Sequence, residues 1–164
     1  MTPETCAAVL QALDVRLTVV GGLEHVLRVD VDGGTVTAGY DPQAAPDARL
    51  WFAWRTVAFG RVRVVRRADY PGQAFKLSVG DPGFDRRFGV VADEPGALVR
   101  LRAPLRGLLA DWLAVGGWIS GEGLGMGAAA LARLAPEAAL AWAGAVATLG
   151  QALYGAPHTV IEQA

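Results

Sequence analysis

The chain has 164 residues, a net charge of −1 and a hydrophobic fraction of 52%. That fits one domain able to bury its own core and excludes both a disordered chain and one basic throughout, as a general nucleic-acid binder is. A single cysteine, Cys6, excludes a disulfide framework and a thiolate metal cluster, and with only His25 and His158 a zinc site would need carboxylates that no motif supplies.

Thr2 before Pro3 and Glu4 is a helix-start pattern, and Cys6, Val9, Leu10 and Leu13 follow at helical spacing, so a short helix to about Leu13 is expected. Met1 to Leu13 has no basic residue before its apolar ones and does not read as a secretion signal. With the lone cysteine this favours a reducing, cytoplasmic compartment. From Leu17 and Val19 onward the period changes to two. Val26 to Val31, a turn at Asp32-Gly33-Gly34, and Thr35 to Tyr40 read as a β-hairpin. Asp41 to Asp47, with Pro42 and Pro46, is a loop. Leu50 to Phe59, Arg61 to Arg67, Phe75 to Val79 and Phe88 to Val91 continue as short strands with hairpin-length connections, which favours an antiparallel sheet over βαβ units.

Helical spacing then takes over. Asp93 and Pro95 open a short helix to about Arg102, and a second begins with Pro104 near its start and ends at Gly116 and Gly117. Trp118 to Ser120 reads as a strand that turns through Gly121 to Gly123 into a weak partner around Leu124 to Met126. Of the 31 charged residues, 25 lie at or before Arg102, and Ala138 to Ile161 carries none. Ala138 to Ala156 is long enough to span a bilayer, but it is mostly Ala and Gly with Thr148, Gln151 and Tyr154 inside, so a soluble helix is expected instead. It starts at Pro136 and stops at Gly155 and Pro157. Without a charged face it reads as buried on most sides, so that Arg at Ala141 or Ala145 would strand a buried charge.

Three stretches invite a functional reading. Arg49, Arg55, Arg61, Arg63, Arg66 and Arg67 occur with no acidic residue between Arg49 and Arg67, interleaved with Trp51, Phe52, Trp54 and Phe59. Single-stranded nucleic acid uses such a combination. The acidic residues Glu24, Asp30, Asp32, Asp41 and Asp47 of the preceding hairpin favour cross-strand charge pairing instead, so no nucleic-acid partner is expected. Gly121, Gly123, Gly125 and Gly127 approximate a dinucleotide fingerprint, but no second strand and no acidic residue follow at the required distance, which leaves a flexible hairpin. Asp81-Pro82-Gly83 suits a type II turn pinned by Phe84 and Phe88, and Asp85 beside Arg86 and Arg87 suits an ion pair better than proton transfer.

The segment Gly80 to Leu109, with its Gly-Asp-x-x-Phe-Asp-Arg-Arg-Phe turn, following strand, Asp93 and apolar helix after a Pro, resembles a segment recurring in uncharacterised bacterial domains of unknown function. The resemblance extends weakly to the terminal helix and covers about half of the chain. It implies a strand, helix, hairpin, helix ending and carries no catalytic residue.

Trp51, Trp54, Trp112, Trp118 and Trp142 either fill the core or line a pocket for an apolar ligand. No nucleophile elbow, triad order, paired carboxylates or phosphate loop appears, so no catalytic, cofactor-binding or metal-binding residue is assigned and no enzyme is expected. The expected fold is a single α+β domain, residues 1–164, with a mostly antiparallel sheet of about seven strands and the C-terminal helices on one face. The expected function is a non-catalytic binding or scaffold module for a protein partner or a second copy of itself. The alternative is a carrier of a small apolar ligand in a Trp-lined cavity. Neither reading includes a membrane span.

Overall fold

The computed structural model describes residues 1–13, 25–31, 34–41, 43–56, 62–93 and 95–154. Helix α1, Pro3–Ala12, is capped by the Thr2 hydroxyl, which accepts the Thr5 N–H at 3.2 Å, and Cys6, Val9 and Leu10 on one side are buried. Strands β1 (His25–Val31), β2 (Gly34–Tyr40) and β3 (Leu50–Arg55) form an antiparallel meander, with Val36 opposite Trp54 and Ala38 opposite Phe52. His25 is the first residue of a strand. The expected strand at Leu17 and Val19, the turn residues Asp32 and Gly33, and the helix stop after Tyr154 lie outside the described residues.

The strands do not form the single sheet that hairpin-length connections predict. Strand β4 (Val62–Arg66) leaves β3 and pairs with β5 (Phe88–Ala92) in a separate two-stranded antiparallel sheet. Phe75–Val79 is no strand but touches the ladder once, through a bridge from Leu77 to Val90. The expected type II turn is helix α2, Pro82–Arg87, capped by the Asp81 carboxylate, which accepts the Gly83 and Phe84 N–H groups at 3.0 Å. Its proline occupies the first helical position, where a missing N–H costs nothing. A 3₁₀ stretch, Pro95–Arg100, leads into α3, Ala103–Ala114.

The free side of β3 is taken by a strand from far along the chain. Strands β6 (Gly117–Ile119) and β7 (Gly123–Met126) form the C-terminal hairpin, and β7 inserts beside β3, giving a five-stranded order β1-β2-β3-β7-β6. The expected hairpin is present, and Gly123 and Gly125 of the glycine run lie in its inner strand, held between β3 and β6. A Cβ at Gly123 would lie 2.1 Å from the Trp54 carbonyl oxygen, and one at Gly125 would lie 2.5 Å from the Trp118 ring. Only bare backbone approaches β3 this closely.

After the single turn α4 (Ala128–Leu131), helix α5 (Pro136–Tyr154) lies against the sheet. Ala139, Ala143, Val146, Leu149, Gly150, Leu153 and Tyr154 are buried against a sheet face that contributes Val36, Ala38, Phe52, Trp54, Ile119, Leu124 and Met126. The opposite face of α5, at Ala141, Gly144, Thr148, Gln151 and Ala152, is exposed. This corrects the expectation of a helix buried on most sides. Alanine is a strong helix former and exposes little apolar area, so a charge-free face can meet water at small cost. No helix among the described residues is long and apolar enough to cross a membrane.

The two faces of α5 respond oppositely to added volume. Gly150 rests on the Trp54 ring, 2.2 Å from where a Cβ would stand, whereas nothing lies within 4 Å of a Cβ at Gly144. We expect Gly150→Ala to destabilise the protein by about 1–3 kcal/mol through overpacking, despite better helix propensity. Gly144→Ala should stabilise it by about 0.5–1 kcal/mol. Ala141→Arg should change stability by no more than about 0.5 kcal/mol. Urea unfolding of the three variants checks this, and equal effects at the two glycines would contradict the packing described.

Candidate binding cleft between two strand edges

At the end of α5 the Tyr154 hydroxyl meets three backbone carbonyls: Val62 O of β4 at 3.0 Å, Gly123 O at 3.0 Å, and Ser120 O beside the β6–β7 turn. A hydroxyl has one proton, so the three acceptors share a single donor. This contact ties the outer edge of the two-stranded sheet to the outer edge of the five-stranded one.

The alternation of hydrogen bonds in an antiparallel ladder fixes what those edges present. Val62 O points to Tyr154 and Val90 bridges away to Leu77, so Val62, Val64 and Arg66 direct their main-chain groups away from β5. On the other edge Ser120 N bonds Gly123 O at 2.8 Å, which makes Trp118 a bonded partner of Gly125 and turns the N–H and C=O of Gly117 and Ile119 outward. Neither edge has a strand neighbour among the described residues.

Between these edges lies an open cleft of about 450 Å³. Its walls carry Arg63, Arg66, Asp69, Tyr70 and Trp118, with the backbone of Gly116, Gly117 and Gly121. Gly116 adopts φ +94°, which closes α3 and turns the chain into β6. Arg63 donates to the Tyr70 hydroxyl at 2.6 Å and its guanidinium stands 5.4 Å from the Tyr70 ring centre. Arg66 is paired with Asp69 at 2.8 Å, both side chains half exposed. No carboxylate among the described residues pairs with Arg63. On the far side of Trp118, Arg55 stands 5.9 Å from the indole ring centre. The cleft therefore combines Arg63, which has no carboxylate partner among the described residues, with the aromatic surfaces of Tyr70 and Trp118.

The arginine-aromatic stretch is thus divided by the fold. Phe52 and Trp54 point into the core, Phe59 and Arg61 lie outside the described residues, and only Arg63 and Arg66 reach the cleft. The expected cross-strand charge pairing is not how these arginines are accommodated. Arg55 stands opposite Thr35 and Gly123, and Arg63 and Arg66 stand opposite Val91 and Phe88. Arg49 donates to Ala44 O and Met1 O, and Arg67 to Asp85 O and Phe88 O. The expected ion pair at Asp85 is also replaced: its carboxylate accepts from the Ser78 hydroxyl at 2.6 Å and the Val79 N–H at 3.1 Å.

Other polar groups have structural roles. Hydrogen bonds from the Phe84 and Gly83 N–H groups, together with Arg106 nearby, hold the Asp81 carboxyl below its ordinary pKa. Burial pushes the Cys6 thiol up, away from the reactive thiolate. Among the described residues no three His, Cys, Asp or Glu side chains stand close enough to hold a metal ion. Trp54 and Trp112 are fully buried, and Trp112 meets Trp142 edge-on at 5.3 Å. Comparison of the chain with protein-family models, curated proteins and solved structures found no match.

Tyr154→Phe removes the donor and leaves three carbonyls without it, so we expect a loss of about 1–3 kcal/mol near neutral pH. Burial disfavours the phenolate and raises the Tyr154 pKa above its ordinary value. The folded state therefore holds this proton more tightly than the unfolded chain. The resulting stability is complete below about pH 10 and declines as pH rises past it. The gap between wild type and Tyr154→Phe should narrow in that alkaline range. Denaturant titrations from pH 7 to 11 measure it, and a constant gap would contradict a buried hydroxyl donor.

Proposed function

We propose that the protein is a non-catalytic binding module that engages its partner through the cleft between β4 and β6. The observation that carries this reading is an open cleft in which Arg63, without a carboxylate partner among the described residues, stands beside the aromatic rings of Tyr70 and Trp118. Arginine and aromatic rings gathered on one open surface are the groups that protein interfaces draw on most. Among the described residues the cleft brings no nucleophile and base within hydrogen-bond reach of one another, which favours recognition over chemistry.

The packing of the tryptophans supports this reading over a carrier of an apolar ligand. Trp54 stacks on Tyr154 at 5.5 Å, and Phe52, Trp112 and Trp142 pack in sequence with ring centres 6.2 and 5.3 Å apart. These rings fill volume that a ligand would need.

Native mass spectrometry of the protein as purified from cells tests the proposal. A co-purifying species should be retained by wild type and by Lys76→Gln, an exposed site away from the cleft, and lost from Arg63→Gln. Retention by all three proteins would place the binding surface elsewhere.

A further inference from the structure

The charge and openness of the cleft narrow the chemistry of its occupant. Resting on the reading of the cleft as a binding site, we propose that it receives a single carboxylate side chain from the surface of a partner protein, held by the Arg63 guanidinium with Tyr70 and Trp118 beside it.

Three observations lead there. The first is that Arg63 is held ready. It donates to the Tyr70 hydroxyl at 2.6 Å, and its guanidinium stands 5.4 Å from that ring's centre. Tyr70 is fixed in turn by the 3₁₀ turn Arg67–Asp69, where the Arg67 carbonyl accepts the Tyr70 N–H at 3.0 Å and Asp69 is paired with Arg66. A guanidinium has five N–H donors, so one contact with a hydroxyl leaves a fork for both oxygens of a carboxylate. Arg63 is exposed while its neighbours Val62 and Val64 are buried, so the recognising group is this side chain and not the main chain of β4.

The second is the charge count. The cleft is lined by two cations, Arg63 and Arg66, and one anion, Asp69, which leaves one positive charge. Arg66 is already paired with Asp69 at 2.8 Å, so that charge falls to Arg63, and one carboxylate neutralises it. A phosphate group carries about −1.5 to −2 near neutral pH and is recognised by clusters of arginines, which the cleft does not offer. The third is openness. A cleft of about 450 Å³ has room for a small molecule, but sites for free small molecules enclose most of the ligand's surface, and this one stays open. An ion pair left in water is worth little and strengthens as water is excluded. The surface that bears the carboxylate supplies the enclosure, closing over Tyr70 and Trp118 as partners close over aromatic side chains at interfaces.

The experiment follows the Arg63 Nε–H and Trp118 indole N–H resonances of the full chain by NMR as the blocked tripeptide Ala-Glu-Ala is added, at about pH 6, where its glutamate is ionised. Saturable shifts at both groups are expected, with a dissociation constant of about 1–10 mM, and added salt should weaken them. Blocked Ala-Gln-Ala, of the same shape and uncharged, should shift neither. Arg63→Gln should remove the Trp118 response and Lys76→Gln should keep it. Arg63 is exposed, and unchanged resonances away from the cleft confirm that its variant folds. Equal shifts with the glutamine peptide, or a Trp118 response that survives Arg63→Gln, would overturn the assignment to Arg63. Inorganic phosphate binding about tenfold tighter than the glutamate peptide would overturn the carboxylate in favour of a phosphate. Micromolar binding of benzoate or octanoate would overturn a protein-borne group in favour of a free organic acid, and micromolar binding of oligothymidine would do so in favour of nucleic acid. No shift with any of these probes would overturn an anionic occupant altogether. The Arg63→Gln mass spectrum decides separately whether the cleft binds a partner.

Discussion

One hydroxyl group holds the two sheets in register. Tyr154 ends α5, stacks on Trp54 of β3, and places its proton among carbonyls of β4 and of the β6–β7 hairpin. Every part of the arrangement is separated in sequence from Tyr154, by 31 residues at Gly123, 92 at Val62 and more at Trp54. Within a low-dielectric interior a carbonyl left without a donor is costly, so the positions of both strand edges are linked to the seating of one side chain. The cleft follows from the same contact. The edges are drawn together where the hydroxyl reaches both, and away from Tyr154 they enclose the open cleft.

Seating Tyr154 depends in turn on backbone without side chains. Gly150 lets α5 descend onto the Trp54 ring, and Gly123 and Gly125 let β7 run close to β3. The indole N–H of Trp54 has no hydrogen-bond partner among the described residues, so what this residue contributes there is its area and shape. Large rings laid over glycine recur where β7 meets Trp118 and where β2 meets Trp51. Such pairs fix strand register by fit, because a shift by one residue would place a Cβ inside a ring.

Local signals in the sequence located the local elements. The Thr2-Pro3 start of α1, Pro104 in the first turn of α3, and the stop at Gly116 are each set by groups within a few residues, and the structure has them at those places. The antiparallel character of the strands was equally legible from their period and short connections. The division into two sheets was not, because the partner of β3 is chosen by the fit of Gly123 and Gly125 against it, which no spacing rule contains. The burial of α5 was misjudged for a related reason: Ala tolerates both water and core, so its pattern does not distinguish the faces. The cleft left only a faint trace, the alternation of Arg63 with Val62 and Val64, since its wall joins residues as distant in sequence as Arg63 and Gly121.

The arginines clarify why that trace was easy to misread. A guanidinium has five donors and no acceptor, and in a fold with many short elements the groups most in need of donors are carbonyls at loop and helix ends. Arg49, Arg67, Arg86, Arg100 and Arg106 each donate to a main-chain carbonyl, and Arg100 reaches Leu153 O at the end of α5, where the helix dipole favours a cation. These side chains act as loop and helix fasteners, so their number says little about what the protein binds. Arg63 differs in kind. Its partner among the described residues is the hydroxyl of exposed Tyr70, a neutral group, and its charge faces the cleft. An exposed cation of this kind costs little in water and gains most when a carboxylate meets it in a partly dry site, which is why the proposed recognition is placed at this cleft.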